Sequence, residues 1–117
     1  MNLRRRLLVV DDEAEILELL KLTFHDCDVD TALDTGSALE QLKKTTFDAI
    51  ITDVRMPGGS GLSLIDHAAT LCPAAAVIVI TGHHQEREPD PRVARWIPKP
   101  FSISGIRATV FEVLGAR

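Results

Sequence analysis

The sequence predicts one α/β domain, a parallel sheet of five strands with helices on both faces. Three observations carry that prediction. Short apolar runs stop abruptly at acids or hydroxyls, as in "LLVV" before Asp11, "DAIIT" before Asp53 and "AAVIVI" before Thr81. Segments with helical apolar spacing separate these runs. No repeat, low-complexity tract or interdomain linker interrupts the alternation. Strands that are apolar almost throughout are those buried on both faces, as crossover helices make them. The 117 residues fit a single domain spanning 1–117. A chain of that size buries roughly two-thirds of its unfolded surface, enough for a core without metals or disulfides.

Taken in order, "LLVV" (7–10) is the first strand. Ile16, Leu19, Leu20 and Phe24 recur at helical spacing and predict a helix over 13–25. "DVDTA" is a weaker strand. Ala38, Leu39 and Leu42 mark a second helix, with Gly36 near its start. "DAIIT" (48–52) is the next buried strand, followed by a Gly/Pro-rich loop. Leu62, Ile65 and Ala69 mark a third helix that Pro73 helps to end. "AAVIVI" is the most apolar strand. "GHHQEREPDPR" then opens a polar gap containing Pro89 and Pro91, before a short last strand, "VARWI". Ile103, Ile106, Val110 and Val113 give a closing helix, with Ser102 placed to cap it and Gly115 near its end.

Composition narrows the function. The chain is 45% hydrophobic and 26% charged, ordinary for a soluble protein, with a net charge of −4. An acidic balance argues against a nucleic-acid surface. The one basic run, Arg4 to Arg6, directly precedes a strand and reads as a solvated strand entry. Cys27 and Cys72 form neither a disulfide framework nor a metal pair at their spacing. The first residues lack the core and cleavage site of a signal peptide, and no apolar run spans a membrane. A cytoplasmic protein without membrane contact is the expectation.

In folds of this class, ligands sit beyond the carboxyl ends of the strands. Asp11 and Asp12 follow the first strand, Asp53 follows "AIIT", Thr81 ends "AAVIVI", and Lys99 follows the last strand. Each has a bland explanation alone. Asp12 with Glu15 matches a D-x-x-E helix start; Asp53 suits a turn, Thr81 a strand end and Lys99 the surface. Together they converge on one sheet edge. Two carboxylates about 4 Å apart repel by about 4 kcal/mol at an effective dielectric of about 20. Three such groups call for a hard divalent cation, and Mg²⁺ suits one or two carboxylates plus phosphate oxygens. Carboxylate, Mg²⁺, amine and hydroxyl together are the parts of a phosphoryl-transfer site, with one carboxylate attacking in line.

"LLVVDDE", "DAIITDVRMPGGSGL", "VIVITG" and "WIPKPF", in that order, resemble the receiver domain of two-component response regulators over nearly the whole chain. The resemblance implies a flavodoxin-like, three-layer fold with strand order 2-1-3-4-5, the order of chemotaxis receivers. It implies that Asp53 is the phosphoacceptor, loaded from a sensor histidine kinase or a histidine phosphotransfer protein. Asp11, Asp12, Asp53 and the backbone carbonyl of Arg55 would hold Mg²⁺ (or Mn²⁺). Lys99 would pair with the phosphoryl group, Thr81 would turn its hydroxyl toward it, and Trp96 would be the aromatic that reorients with Thr81. Pro57 and Gly61 match the loop leading into the third helix, and Lys99-Pro100 resembles the family's cis peptide. The chain would be a signalling switch acting only on itself, with no output domain in these residues and homodimerisation as a compatible assembly.

The sequence departs from the family between Thr81 and Lys99, an interval about one helical turn short. The fourth helix is expected to be shortened or absent, and residues 83–92 irregular, because no apolar stripe exists to pack them. His83 and His84 read as solvated loop residues, and Cys72 as a helix-end hydrophobe. Two rivals are a phosphorylation-independent pseudo-receiver that acts as an interaction module, and a haloacid-dehalogenase-like phosphatase. The first requires loss of an acid or the lysine, and none is lost. The second requires D-x-D-x-[TV] where this chain has "DDEAE".

Overall fold

The computed structural model describes residues 4–56, 59–82 and 90–115. Five strands form the main sheet: β1 (Arg6–Val10), β2 (Asp28–Ala32), β3 (Ala49–Asp53), β6 (Ala76–Thr81) and β7 (Val93–Pro98). A two-residue hairpin, β4 (Arg55–Met56) with β5 (Gly59–Ser60), follows β3. The helices are α1 (Ala14–Thr23), α2 (Thr35–Lys44), α3 (Gly61–Leu71) and α4 (Ile103–Gly115). The sheet order is β2-β1-β3-β6-β7, with every pair parallel. Counting the long strands along the chain, that is the expected 2-1-3-4-5.

The alternation of side chains along each strand feeds two cores. Leu7, Val9, Ile51, Ile78, Ile80 and Ile97 pack against Leu17, Leu20 and Phe24 of the α1 side and Ile106, Val110 and Val113 of α4. Leu8, Val10 and Ile50 pack against Ala38 and Leu42 of α2 and Leu64 and Ala68 of α3. A separate cluster of Ile65, Val77, Val79 and Val93 covers the β6–β7 end of that second face. Because β1 and β3 are sandwiched, almost every residue in them is buried, as their continuous apolar runs require.

Local chemistry sets the helix ends. Asp34 caps α2, accepting from the Ser37 N–H at 2.7 Å. Ser102 caps α4 through the Gly105 N–H at 2.9 Å. Asp12 is not a cap: α1 starts one residue later than a D-x-x-E box requires, with Glu13 at the N-cap position and no side-chain cap bond. The basic run at the entry of β1 is absorbed in ion pairs, Arg4 with Asp28, Arg5 with Asp48 and Arg6 with Asp30.

Among the described residues no helix lies between β6 and β7. Residues 83–89, which include most of the polar gap, lie outside them, as does Pro57. The gap's last residues form a turn: Asp90 accepts from the Arg92 and Val93 N–H groups, through its side chain and carbonyl respectively, and Arg92 also reaches Asp66 of α3 at 2.5 Å. Among the described residues no helix is long and apolar enough to cross a membrane.

Candidate functional site

The carboxyl ends of β1, β3, β6 and β7 bring Asp11, Asp53, Thr81 and Lys99 to one edge of the sheet. β1 pairs with β3 and β3 with β6, so the residues that end each strand become neighbours. Asp53 is the last residue of β3, one position later than the sequence pattern gives, and pairs with Ile80. Lys99 follows β7, and its backbone N–H donates to the Thr81 carbonyl at 2.9 Å. The Lys99–Pro100 peptide is cis.

Lys99 is the hub. Its Nζ donates to Asp53 Oδ2 at 2.6 Å and lies 3.9 Å from Asp11 Oδ2 and 4.0 Å from Glu13 Oε1. Burial works to lower the amine's pKa. The hydrogen bond to Asp53 and the charges of Asp53, Asp11 and Glu13 outweigh burial, so the net shift is upward. The amine therefore stays protonated at every physiological pH.

Asp11 is the most constrained acid, only 1% exposed. Its Oδ1 accepts from the Glu13 N–H at 2.8 Å, while Oδ2 is buried without a hydrogen-bond partner. Burial pushes the Asp11 carboxyl up to about 6, and the Asp53 and Asp12 charges add to the rise. The Glu13 N–H and Lys99 pull the other way. A buried, unpartnered carboxylate oxygen is a costly feature. Carboxylate oxygens of Asp11, Asp12 and Glu13 lie within 4.8 Å of one another, with Asp12 and Glu13 exposed. This donor set is all oxygen and anionic, and fits a hard divalent cation of the Mg²⁺ class.

Glu13 joins the site without having been singled out from the sequence, although it is the third acid of "DDE". Arg55 sits two residues past Asp53, its main chain paired with Ser60 in the hairpin. Trp96 is not in the acidic cluster. It is half-buried on β7, pairs with Val79 two residues before Thr81, and packs on the cluster that also receives Val54.

Comparison with known proteins agrees with this geometry. A family model, the response regulator receiver domain, matches residues 7–111. The response regulator protein PilR of Pseudomonas aeruginosa is 39% identical over 82 residues, covering 68% of this chain and 18% of that protein. The response regulator MprA of Mycobacterium ulcerans is 30% identical over 115 residues, covering 93% of this chain and 50% of that protein. The chain thus spans half or less of the length of these relatives. Among solved structures, the response regulator TrrA of Thermotoga maritima, in complex with Mg²⁺ and beryllium fluoride, is 30% identical with a TM-score of 0.81, covering 93% of this chain and 98% of that one. The chemotaxis response regulator CheY4 of Vibrio cholerae is 26% identical with a TM-score of 0.86, covering 94% and 98%.

Proposed function

Starting from the fact that the chain belongs to the response regulator receiver domain family, we propose that it takes a phosphoryl group onto Asp53 from a phosphohistidine of a sensor kinase or phosphotransfer protein. The observation that carries this reading is the pairing of Asp53 Oδ2 with Lys99 Nζ at 2.6 Å, beside the buried Asp11 Oδ2, which has no hydrogen bond. An acid held by an amine at the mouth of a cation-seeking cluster has the parts of an acyl-phosphate site.

A carboxylate oxygen of Asp53 forms the new P–O bond as the donor's P–N bond breaks, and the imidazole nitrogen keeps the electron pair. Lys99 neutralises charge on the transferring group, exchanging its contact with Asp53 Oδ2 for a phosphoryl oxygen. Thr81, at the end of β6, offers its hydroxyl to the same group, and Trp96 follows Thr81. Asp11, Asp12, Asp53 and the Arg55 carbonyl would hold Mg²⁺, with Glu13 at the rim. A bound divalent cation offsets the developing negative charge on the phosphoryl oxygens. The outcome is a changed conformation rather than a released product, which fits a signalling domain in the cytoplasm.

Incubation with acetyl phosphate and Mg²⁺, followed by intact-mass measurement, tests the reading. The wild type should gain one phosphoryl group and Asp53→Asn none. A wild type that gains nothing, indistinguishable from Asp53→Asn, would leave the phosphorylation-independent interaction module as the better account.

A further inference from the structure

The third apolar cluster is separate from both main cores and reaches Val54, the residue that follows β3. Its buried members are Ile65 of α3, Val77 and Val79 of β6, and Val93 of β7. Two half-buried side chains pack on it: Val54, the residue after Asp53, and Trp96. Val54 is held to the sheet by its own N–H, which donates to the Ile80 carbonyl at 3.3 Å. Any displacement of the main chain at Asp53 therefore moves a side chain of this cluster.

The membership of Val93 and Trp96 is itself informative. They are three residues apart, and an unbroken strand would point them to opposite faces. The register of β7 slips between Val77 and Ile78, so that Val93 pairs with Val77 while Arg95 pairs with Ile78, and Ala94 is left as a bulge. The extra residue brings both side chains onto the cluster. Arg95 is thereby aimed at the other face, where it meets Glu112 of α4.

We propose that this satellite cluster is a packing relay, in which Val54 positions Trp96 according to the state of Asp53. The relay runs Asp53, Val54, cluster, Trp96, and reaches α3 through Ile65. It is a second link to Trp96, independent of the Thr81 hydroxyl, and it rests on the reading of Asp53 as the acceptor. Packed side chains transmit a displacement because close-packed interiors have no slack to absorb it. A small cluster outside the main cores yields at lower cost than the cores do.

The chain has one tryptophan and no tyrosine, so its indole emission reports Trp96 alone. The test is titration of the metal-loaded protein with beryllium fluoride, followed by Trp96 emission, with acetyl phosphate loading measured separately by mass. Wild type should show a saturable emission change. Val54→Ala should load like the wild type yet keep less than half of the emission amplitude. Should Val54→Ala fail to fold, Ile65→Val, which removes one methyl from the far side of the cluster, should show the same split. Equal amplitudes in the folded variant and the wild type overturn the relay, as does a wild type that loads with no emission change. A wild type that does not load at all overturns the acceptor reading instead, and is told apart by the mass measurement.

Discussion

Replacing Asp11 with asparagine should make the metal-free protein more stable, and only above a certain pH. The folded state raises the Asp11 carboxyl from its ordinary 3.8 to about 6, mainly because it is buried. A carboxyl with a higher pKa folded than unfolded favours the fold when protonated and opposes it when ionised. Stability from this group is therefore fully present below about pH 4 and is lost as pH rises through about 6. At 1.36 kcal/mol for each pH unit between those values, ionised Asp11 costs the fold about 3 kcal/mol. Asp11→Asn keeps the shape and removes the charge. Urea unfolding in chelator at pH 4, 6 and 8 should show no advantage of the variant at pH 4 and an advantage approaching about 3 kcal/mol at pH 8. A thermal midpoint raised by roughly 10 °C at pH 8 is the equivalent observation. A variant no more stable than wild type at pH 8, or an advantage independent of pH, would refute the reasoning.

Lys99→Ala should reduce acetyl phosphate loading by about 100-fold, since the lost amine faces developing phosphoryl charge; loading rates by mass spectrometry check it. Arg107→Ala should lower the thermal midpoint at neutral pH. Arg107 bonds to both Asp26 oxygens and to the Thr23 carbonyl, and its hydrogen bond holds the Asp26 carboxyl down to about 2. The ion-pair part of that effect is present above about pH 4 and should fade as pH falls through 2, so the gap between variant and wild type narrows in acid. Ile106→Ala, at a site 1% exposed on the buried face of α4, should cost about 2–5 kcal/mol in urea unfolding. Gly105→Ala should gain nothing. A Cβ there would stand 2.6 Å from the capping Ser102 Oγ, so about 1 kcal/mol of helix propensity is offset by about 1 kcal/mol of lost cap. In a Ser102→Ala background the same change should become stabilising.

The sheet and the acidic edge were legible because the same physics writes both. A doubly buried strand needs an unbroken apolar run, and a polar residue that ends the run marks where the strand meets solvent. Asp11, Asp53, Thr81 and Lys99 could therefore be placed together before any coordinate. What escaped lacks a period. The hairpin of Arg55–Met56 with Gly59–Ser60 is too short to show alternation. Asp34 was passed over as a cap because no apolar residue marks the first turn of α2. Glu13 carries no strand-end or cap signature of its own, and only the fold shows its N–H held by Asp11. The shared cluster of Val93 and Trp96 was invisible for a different reason: odd spacing in a strand reads as opposite faces, and a bulge cancels that rule without any signature in composition.

The balance of charge at the site joins stability to function. One protonated amine faces Asp11, Asp53 and Glu13 within 4.0 Å, and Asp12 lies beside them. The amine donates to Asp53 at 2.6 Å and stands 3.9 Å from Asp11 Oδ2, where its charge lowers the Asp11 pKa without offsetting the burial of that oxygen. That burial is why the metal-free fold loses about 3 kcal/mol as Asp11 ionises. A ligand that binds only the folded state returns about 2.7 kcal/mol at 100 times its Kd. A divalent cation at that saturation would thus restore most of what the ionised acid takes away. Mg²⁺ should accordingly stabilise the wild type strongly at pH 8 and weakly at pH 4, where the proton occupies the same oxygen. Asp11→Asn should respond far less at pH 8. A wild type whose Mg²⁺-induced stabilisation is the same at both pH values would break the link between the buried acid and the cation.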